Sequence, residues 1–184
     1  EHITQVITDL AAAGAGAGHP LLRQPTDVRK VGVVVLSSDR GMAGAYNNSV
    51  IRLAEREINA ARAAGKAYSL VTIGRKAEGY FKFRHFDIEA SFSGFTEKPT
   101  YEHAREIAAE ITTLFGDTVD EVRLAYTRFI SMGTQEVSVR RFLPLETGDV
   151  GPADAESDGH DGHGTPSAQF EFEPSSGAVL EALL

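Results

Sequence analysis

Two short apolar runs constrain this chain more than anything else in it: VGVVVLS at residues 31–37 and AYSLVTIG at residues 67–74. Both are rich in β-branched residues, and neither alternates with polar ones. A strand of this kind is apolar on both faces, which a sheet tolerates where helices cover both sides. The segment between them reads as such a helix, from about Ser49 to Ala64. Val50, Ala54, Ile58 and Ala61 share one face, Arg52, Glu55, Arg56 and Arg62 turn toward water, and Gly65 is a natural stop. Strand, helix, strand in this order predicts a parallel pair joined by a right-handed crossover.

The pattern continues with a short helix at about 75–83 and a weaker strand over Glu89–Phe95. A further helix follows, with Thr100 as its N-cap and Ile107, Ile111 and Leu114 facing inward, and Gly116 ends it. Val122–Ile130 then alternates, Val122, Leu124 and Tyr126 against Arg123, Ala125 and Thr127. After SMGT, Gln135–Leu143 alternates as well, which predicts an antiparallel hairpin with one wet face at the sheet edge, stopped by Pro144. The expectation is an α/β sandwich whose mostly parallel sheet ends in an antiparallel edge hairpin.

The flanks differ from this body. Ile3, Val6, Ile7 and Leu10 form one apolar stripe, and Val179, Leu180, Leu183 and Leu184 form another. Each fits the start of an amphipathic helix that needs a partner, and the simplest partner is the other stripe, as a coiled coil. Residues 146–167 are acidic and of low complexity, with too few apolar residues to drive ordering. The charge follows this division. Residues 1–141 hold all 18 Lys and Arg against seventeen acids, and residues 142–184 hold nine acids and no base. A body so near neutrality is a poor wrapper of nucleic acid. Cysteine is absent, which removes disulfides, thiolate metal sites and a cysteine nucleophile. No apolar run approaches the roughly 20 residues that span a bilayer, and no export signal is visible.

Four constellations invite chemistry. Ser37 to Asn47, SSDRGMAGAYN, lies between the first strand and the first helix, where a doubly wound sheet meets phosphate. Only Gly41 and Gly44 are present of a glycine fingerprint, and Asp39 stands where phosphate would be repelled, so a structural connection is the better reading. Arg75 after the second strand could face a ribose phosphate, but the glycine turn that would support it is missing. Residues 75–86 interleave Arg75, Lys76, Lys82, Arg84 and His85 with Tyr80, Phe81, Phe83 and Phe86, a mixture that single-strand nucleic-acid binders use. A helix with aromatics in the core and cations in water explains it better. Asp158, His160, Asp161 and His163 could hold a metal only weakly from an unsupported loop. Ser37, Ser38, Thr72, His85 and His103 form no readable catalytic set, and no G-x-S-x-G elbow exists.

The first constellation carries a second meaning. VGVVVLSSDRG followed by Gly44-Ala45-Tyr46-Asn47 resembles the central region of the gamma subunit of F-type ATP synthase, which has a Ser-Asp-Arg-Gly-Leu-Cys-Gly-x-x-Asn run after this strand. Ser38, Asp39, Arg40, Gly41, Gly44 and Asn47 match, and Ala43 stands at the Cys position. Ile73-Gly74-Arg75-Lys76 resembles the family's turn after strand two, and Phe129-Ile130-Ser131 through Pro144-Leu145 resembles its terminal hairpin. Phe170-Glu171-Phe172-Glu173-Pro174-Ser175, with Val179 to Leu184, is similar to the start of its C-terminal helix.

The resemblance implies a Rossmann-like three-layer sandwich over residues 25–145. A stub of a shaft helix and linker is expected at 1–24, an acidic loop at 146–169 and the start of a second shaft helix at 170–184. It implies the foot domain, here a fragment, of a rotor that couples c-ring rotation to ATP synthesis in the alpha-beta head. No catalytic residue, cofactor or metal is expected. The implied partners are the alpha and beta subunits through the shaft, the epsilon subunit and the c-ring, with a peripheral seat on the cytoplasmic face of a bacterial plasma membrane. Phe170, Glu171, Phe172 and Glu173 are the candidate ring contact, and the strand edge near Val137–Arg141 the candidate epsilon contact. A small nucleotide-binding α/β domain using the 38–47 turn is the alternative.

Overall fold

A computed structural model describes residues 20–41 and 43–145. The chain divides into two units, residues 24–144 and a second built from 1–23 and 145–184. Of the second, the described part is a 3-10 turn, Pro20–Leu22, whose Leu21 carbonyl accepts from the Leu145 amide at 2.9 Å.

The larger unit is a five-stranded sheet. In chain order it contains β1 Lys30–Leu36, α1 Tyr46–Ala63, β2 Ala67–Ile73, α2 Arg75–Phe83 and β3 Ala90–Phe92. There follow α3 Tyr101–Asp117, β4 Glu121–Ser131 and β5 Thr134–Leu143. The strand order is β3-β2-β1-β4-β5. The first three pairings are parallel and β4–β5 is antiparallel. The molecule is therefore the expected α/β sandwich with a mostly parallel sheet and one antiparallel edge pair. The order reverses at β1, where successive connections run first toward β3 and then back to β4.

That reversal explains the unbroken apolar runs. On one face Val31, Val33, Val35, Leu70 and Ala125 form a single core cluster with Val50, Ile51, Ala54, Ile58 and Ala61 of α1 and Ala77 and Phe81 of α2. Val34, Val71 and Val122 point from the opposite face by strand alternation. The right-handed crossover from β3 to β4 carries α3 over that face, where its Ile111, Leu114 and Phe115 are buried. Gly32 lies under this side, where a Cβ would come within 3.3 Å of a Val119 methyl and 3.4 Å of a Val122 methyl. At the foot of β1 the Asp120 carboxylate accepts from the amides of Arg29 and Lys30, both at 2.9 Å.

Several expectations shift in detail. The helix expected from Ser49 starts at Tyr46. The third strand is three residues rather than seven, because only Ala90–Phe92 pairs in register with β2. Gly116 does not end α3, which runs on to Asp117. The alternation in β4 is that of an inner strand, since Val122 and Ala125 are both buried although they face opposite ways. In the hairpin the sheet edge is β5, and β4 is exposed at its last three residues. Phe83, expected in the core, is 81% exposed.

Candidate functional site

The turns that leave β1, β2 and β3 meet at the carboxyl ends of the strands. Their meeting is built around one residue, Asp39. Its Oδ1 accepts from the Arg75 amide at 3.1 Å, the first residue of α2. Its Oδ2 accepts from the amides of Gly94 at 2.9 Å and Thr96 at 3.0 Å and from the Thr96 hydroxyl at 2.9 Å. The Asp39 amide in turn donates to Thr96 Oγ1 at 2.8 Å. Burial works against the charge of this carboxylate. The donors from Gly94, Thr96 and Arg75 outweigh burial and hold its pKa at about 2. One carboxylate thus ties the β1 turn to the start of α2 and to the loop after β3.

The neighbouring residues close the same turn. The Ser37 amide donates to Ile73 O at 2.8 Å, and Ser37 Oγ accepts from the Ala77 amide at 3.0 Å. Gly74 sits against Ser37 with φ +93, and a Cβ there would lie 2.3 Å from the Ser37 carbonyl oxygen. Only glycine fits that approach. The Ser38 amide donates to Asn47 Oδ1 at 2.9 Å, and Asn47 Nδ2 donates to Ser38 Oγ at 2.9 Å. Ser38 Oγ donates to the Arg40 carbonyl at 2.6 Å. Asn47, in the first turn of α1, is itself buried. Gly44 adopts φ +55 in open space, and Gly41 lies beside the Lys76 side chain. The six motif residues therefore lie together, with Ser38, Asp39 and Asn47 making the bonds, Arg40 lending its carbonyl and pairing with Glu97, and the glycines shaping the chain.

This arrangement bears on nucleotide binding. Asp39 takes the amides of Arg75, Gly94 and Thr96, and Asn47 takes that of Ser38, so these four are not open to a phosphate. The fold has the topological switch point of a dinucleotide-binding sheet, but its turn is a latch filled by its own side chains. Sequence reading singled out Asp39 and missed its partners, Gly94 and Thr96. Thr96, a hydroxyl residue just after a strand, was the available signal.

The remaining constellations resolve separately. Tyr80, Phe81 and Phe86 pack, the last two ring to ring at 5.2 Å, and Glu55 accepts from Tyr80 Oη at 2.9 Å and Arg84 Nη2 at 3.1 Å. Thr72 Oγ1 donates to Ser91 Oγ at 3.1 Å. His103 joins Thr100 in a capping box at the start of α3, taking the Thr100 amide on Nδ1 at 3.1 Å. His85 takes a left-handed conformation, φ 58, after α2. Among the described residues no group of three or more His, Asp and Glu could hold a metal, and no helix is long and apolar enough to cross a membrane. Asp158, His160, Asp161, His163 and the candidate contact Phe170, Glu171, Phe172 and Glu173 lie outside the described residues, as do both apolar stripes.

Fold and latch together define a class: a Rossmann-like domain whose strand-end turn holds its own loops together. The family model described as ATP synthase matches residues 1–184. The chain is 42% identical to the ATP synthase gamma chain of Kineococcus radiotolerans, over 95% of this chain and 57% of the relative. It is 41% identical to that of Mycolicibacterium vanbaalenii, over 99% of this chain and 61% of the relative. This chain belongs to the ATP synthase gamma-chain family. It spans about three fifths of the length of these relatives. The central stalk of the Tetrahymena thermophila mitochondrial ATP synthase shares the fold, with a TM-score of 0.63 at 19% identity over 98% of this chain and 84% of that one. A rotor chain of the Euglena gracilis enzyme does so at 0.52 and 16%, over 99% and 69%.

Proposed function

We propose that this chain serves the central stalk of a proton-translocating ATP synthase, coupling c-ring rotation to ATP synthesis in the alpha-beta head without an active site of its own. One observation carries this reading: in a chain of the gamma family, the turn where an open α/β sheet holds its ligand is occupied by Asp39 and its four donors. Transmitting force needs a body that does not yield, and close packing with cross-linked loops supplies one. Residues 25–145 act as the foot. Residues 1–24 and 170–184 lead into the shaft that meets the alpha and beta subunits, and 146–169 form an acidic spacer.

Phe170, Glu171, Phe172 and Glu173 contact the c-ring in this reading. The epsilon subunit takes the edge near Val137–Arg141, on the outer strand of the sheet. The chain sits peripherally, on the cytoplasmic face of the plasma membrane. The test is capture by the immobilised full chain of purified epsilon subunit and of c-ring in detergent. Both are expected to bind, and Phe172→Ala should weaken the ring contact while leaving epsilon. Capture of neither would remove the proposal. The rival reading, a nucleotide-binding domain, requires saturable micromolar binding of ATP or NAD, and none is expected.

A further inference from the structure

Outside the latch lies a cleft of about 440 Å³, lined by Asp39, Arg40, Arg75, Phe95, Lys98 and His103 among others. It opens at the carboxyl ends of the strands, where open α/β sheets place ligands. Its charges are not equally committed. The acceptor positions of Asp39 are taken by backbone amides and by Thr96, so the Arg75 guanidinium approaches it only to 4.0 Å and stays two-thirds exposed. It reaches over Gly94 instead. Lys98 has no ion-pair partner among the described residues. Arg40, on the same cleft, is held by Glu97. The wall is firm: Phe95 and His103 stack with ring centres 4.3 Å apart and planes 12° from parallel. His103 spends Nδ1 on the Thr100 amide. In the neutral ring this leaves the proton on Nε2 as a further donor.

We propose that this cleft binds a phosphate group between Arg75 and Lys98, with Glu97 competing for Arg40. The site does not draw on the latch amides, so it is compatible with the filled turn described above. It also stands independently of the stalk reading. Arg75 offers a planar fork and Lys98 a point charge, the pair of donors that phosphate oxygens accept best. Asp39 and Glu97 offset two of the three cations and Glu78 also acts on Arg75, which keeps the binding weak.

The experiment is a titration of the full chain with inorganic phosphate at constant ionic strength, followed by amide NMR. Saturable shifts are expected at Phe95, Glu97 and Lys98. Removing one exposed charge near 4 Å changes affinity about fivefold. Lys98→Gln should therefore weaken binding by about that factor. Glu97→Gln, which releases Arg40, should tighten it by a similar factor. Lys98 is exposed, and its backbone amide donates to Phe95 O, a bond that Lys98→Gln keeps, so the fold stays intact. A second arm uses phosphatidylcholine vesicles with and without phosphatidylglycerol. Binding of free phosphate alone assigns a soluble ligand, and Lys98-dependent binding of the anionic vesicles assigns a lipid headgroup. Shifts that fail to saturate, persist unchanged in Lys98→Gln, or weaken in Glu97→Gln overturn the proposal.

Discussion

Asp39 holds three segments that lie far apart in the chain, so its removal should be felt well beyond its own turn. Its folded pKa of about 2 stands below the ordinary 3.8. A depressed carboxylate contributes stability in full above the ordinary value, and loses it as pH falls through the folded one. At about 1.4 kcal/mol per pKa unit the contribution is about 2 kcal/mol. Asp39→Asn should therefore be less stable by about that amount at pH 7, and the gap should narrow between pH 4 and 2. Urea unfolding of both proteins across that range measures it, and a gap that stays constant would refute the assignment. Gly74→Ala is the harsher change, because the new methyl meets the Ser37 carbonyl at 2.3 Å while φ stays at +93. A loss above about 4 kcal/mol is expected, whereas Gly44→Ala, in open space at φ +55, should cost about 1 kcal/mol. The motif was legible as a motif. Its bonds were not, because Thr96 and Gly94 lie 57 and 55 residues from Asp39 and nothing local announces the meeting.

Elements were legible where their signals are local. The stop of α1 is an example: Gly65 takes φ +73 while its amide reaches Arg62 O and the Lys66 amide reaches Ala61 O. This is the double bond of a Schellman end. The same pair closes α2, from His85 to Lys82 O and from Phe86 to Phe81 O, but with a histidine in the left-handed position. His85→Gly should therefore stabilise the chain by about 1 kcal/mol. A raised urea midpoint with unchanged slope checks it, and no gain would show that the His85 side chain supplies compensating contacts. At the start of α3, Thr100→Ala should cost about 1 kcal/mol, since the Thr100 hydroxyl and His103 satisfy each other's amides. Elements failed to be legible where tertiary contacts decide. Glu89–Phe95 has the composition of a longer strand, yet Gly94 and Thr96 turn their amides to Asp39 rather than to a ladder. Gly116 looks like a stop, but the last turn of α3 is held by burial of Leu114 and Phe115.

For the molecule as a whole, the two unbroken apolar runs were enough to place the sheet, because only helices on both faces can bury them. The same reasoning bears on what the larger unit can do by itself. Among the described residues its core cluster draws on β1, β2, β4, α1 and α2, and on none outside 24–144. The Asp39 latch, the Asp120 clamp and the β4–β5 pairing also close within those limits. A polypeptide of residues 24–144 should therefore fold without the flanks and unfold in one cooperative step. Far-UV circular dichroism and tyrosine fluorescence should give coincident urea transitions, the signature of two-state behaviour. Tyr46, Tyr68 and Tyr80 lie on α1, β2 and α2, and Tyr101 and Tyr126 on α3 and β4, so the fluorescence samples both helical layers and the sheet. A body that passes force between neighbours must not yield in parts. Transitions that separate, with one layer melting before the other, would deny this domain the stiffness on which the proposed role depends.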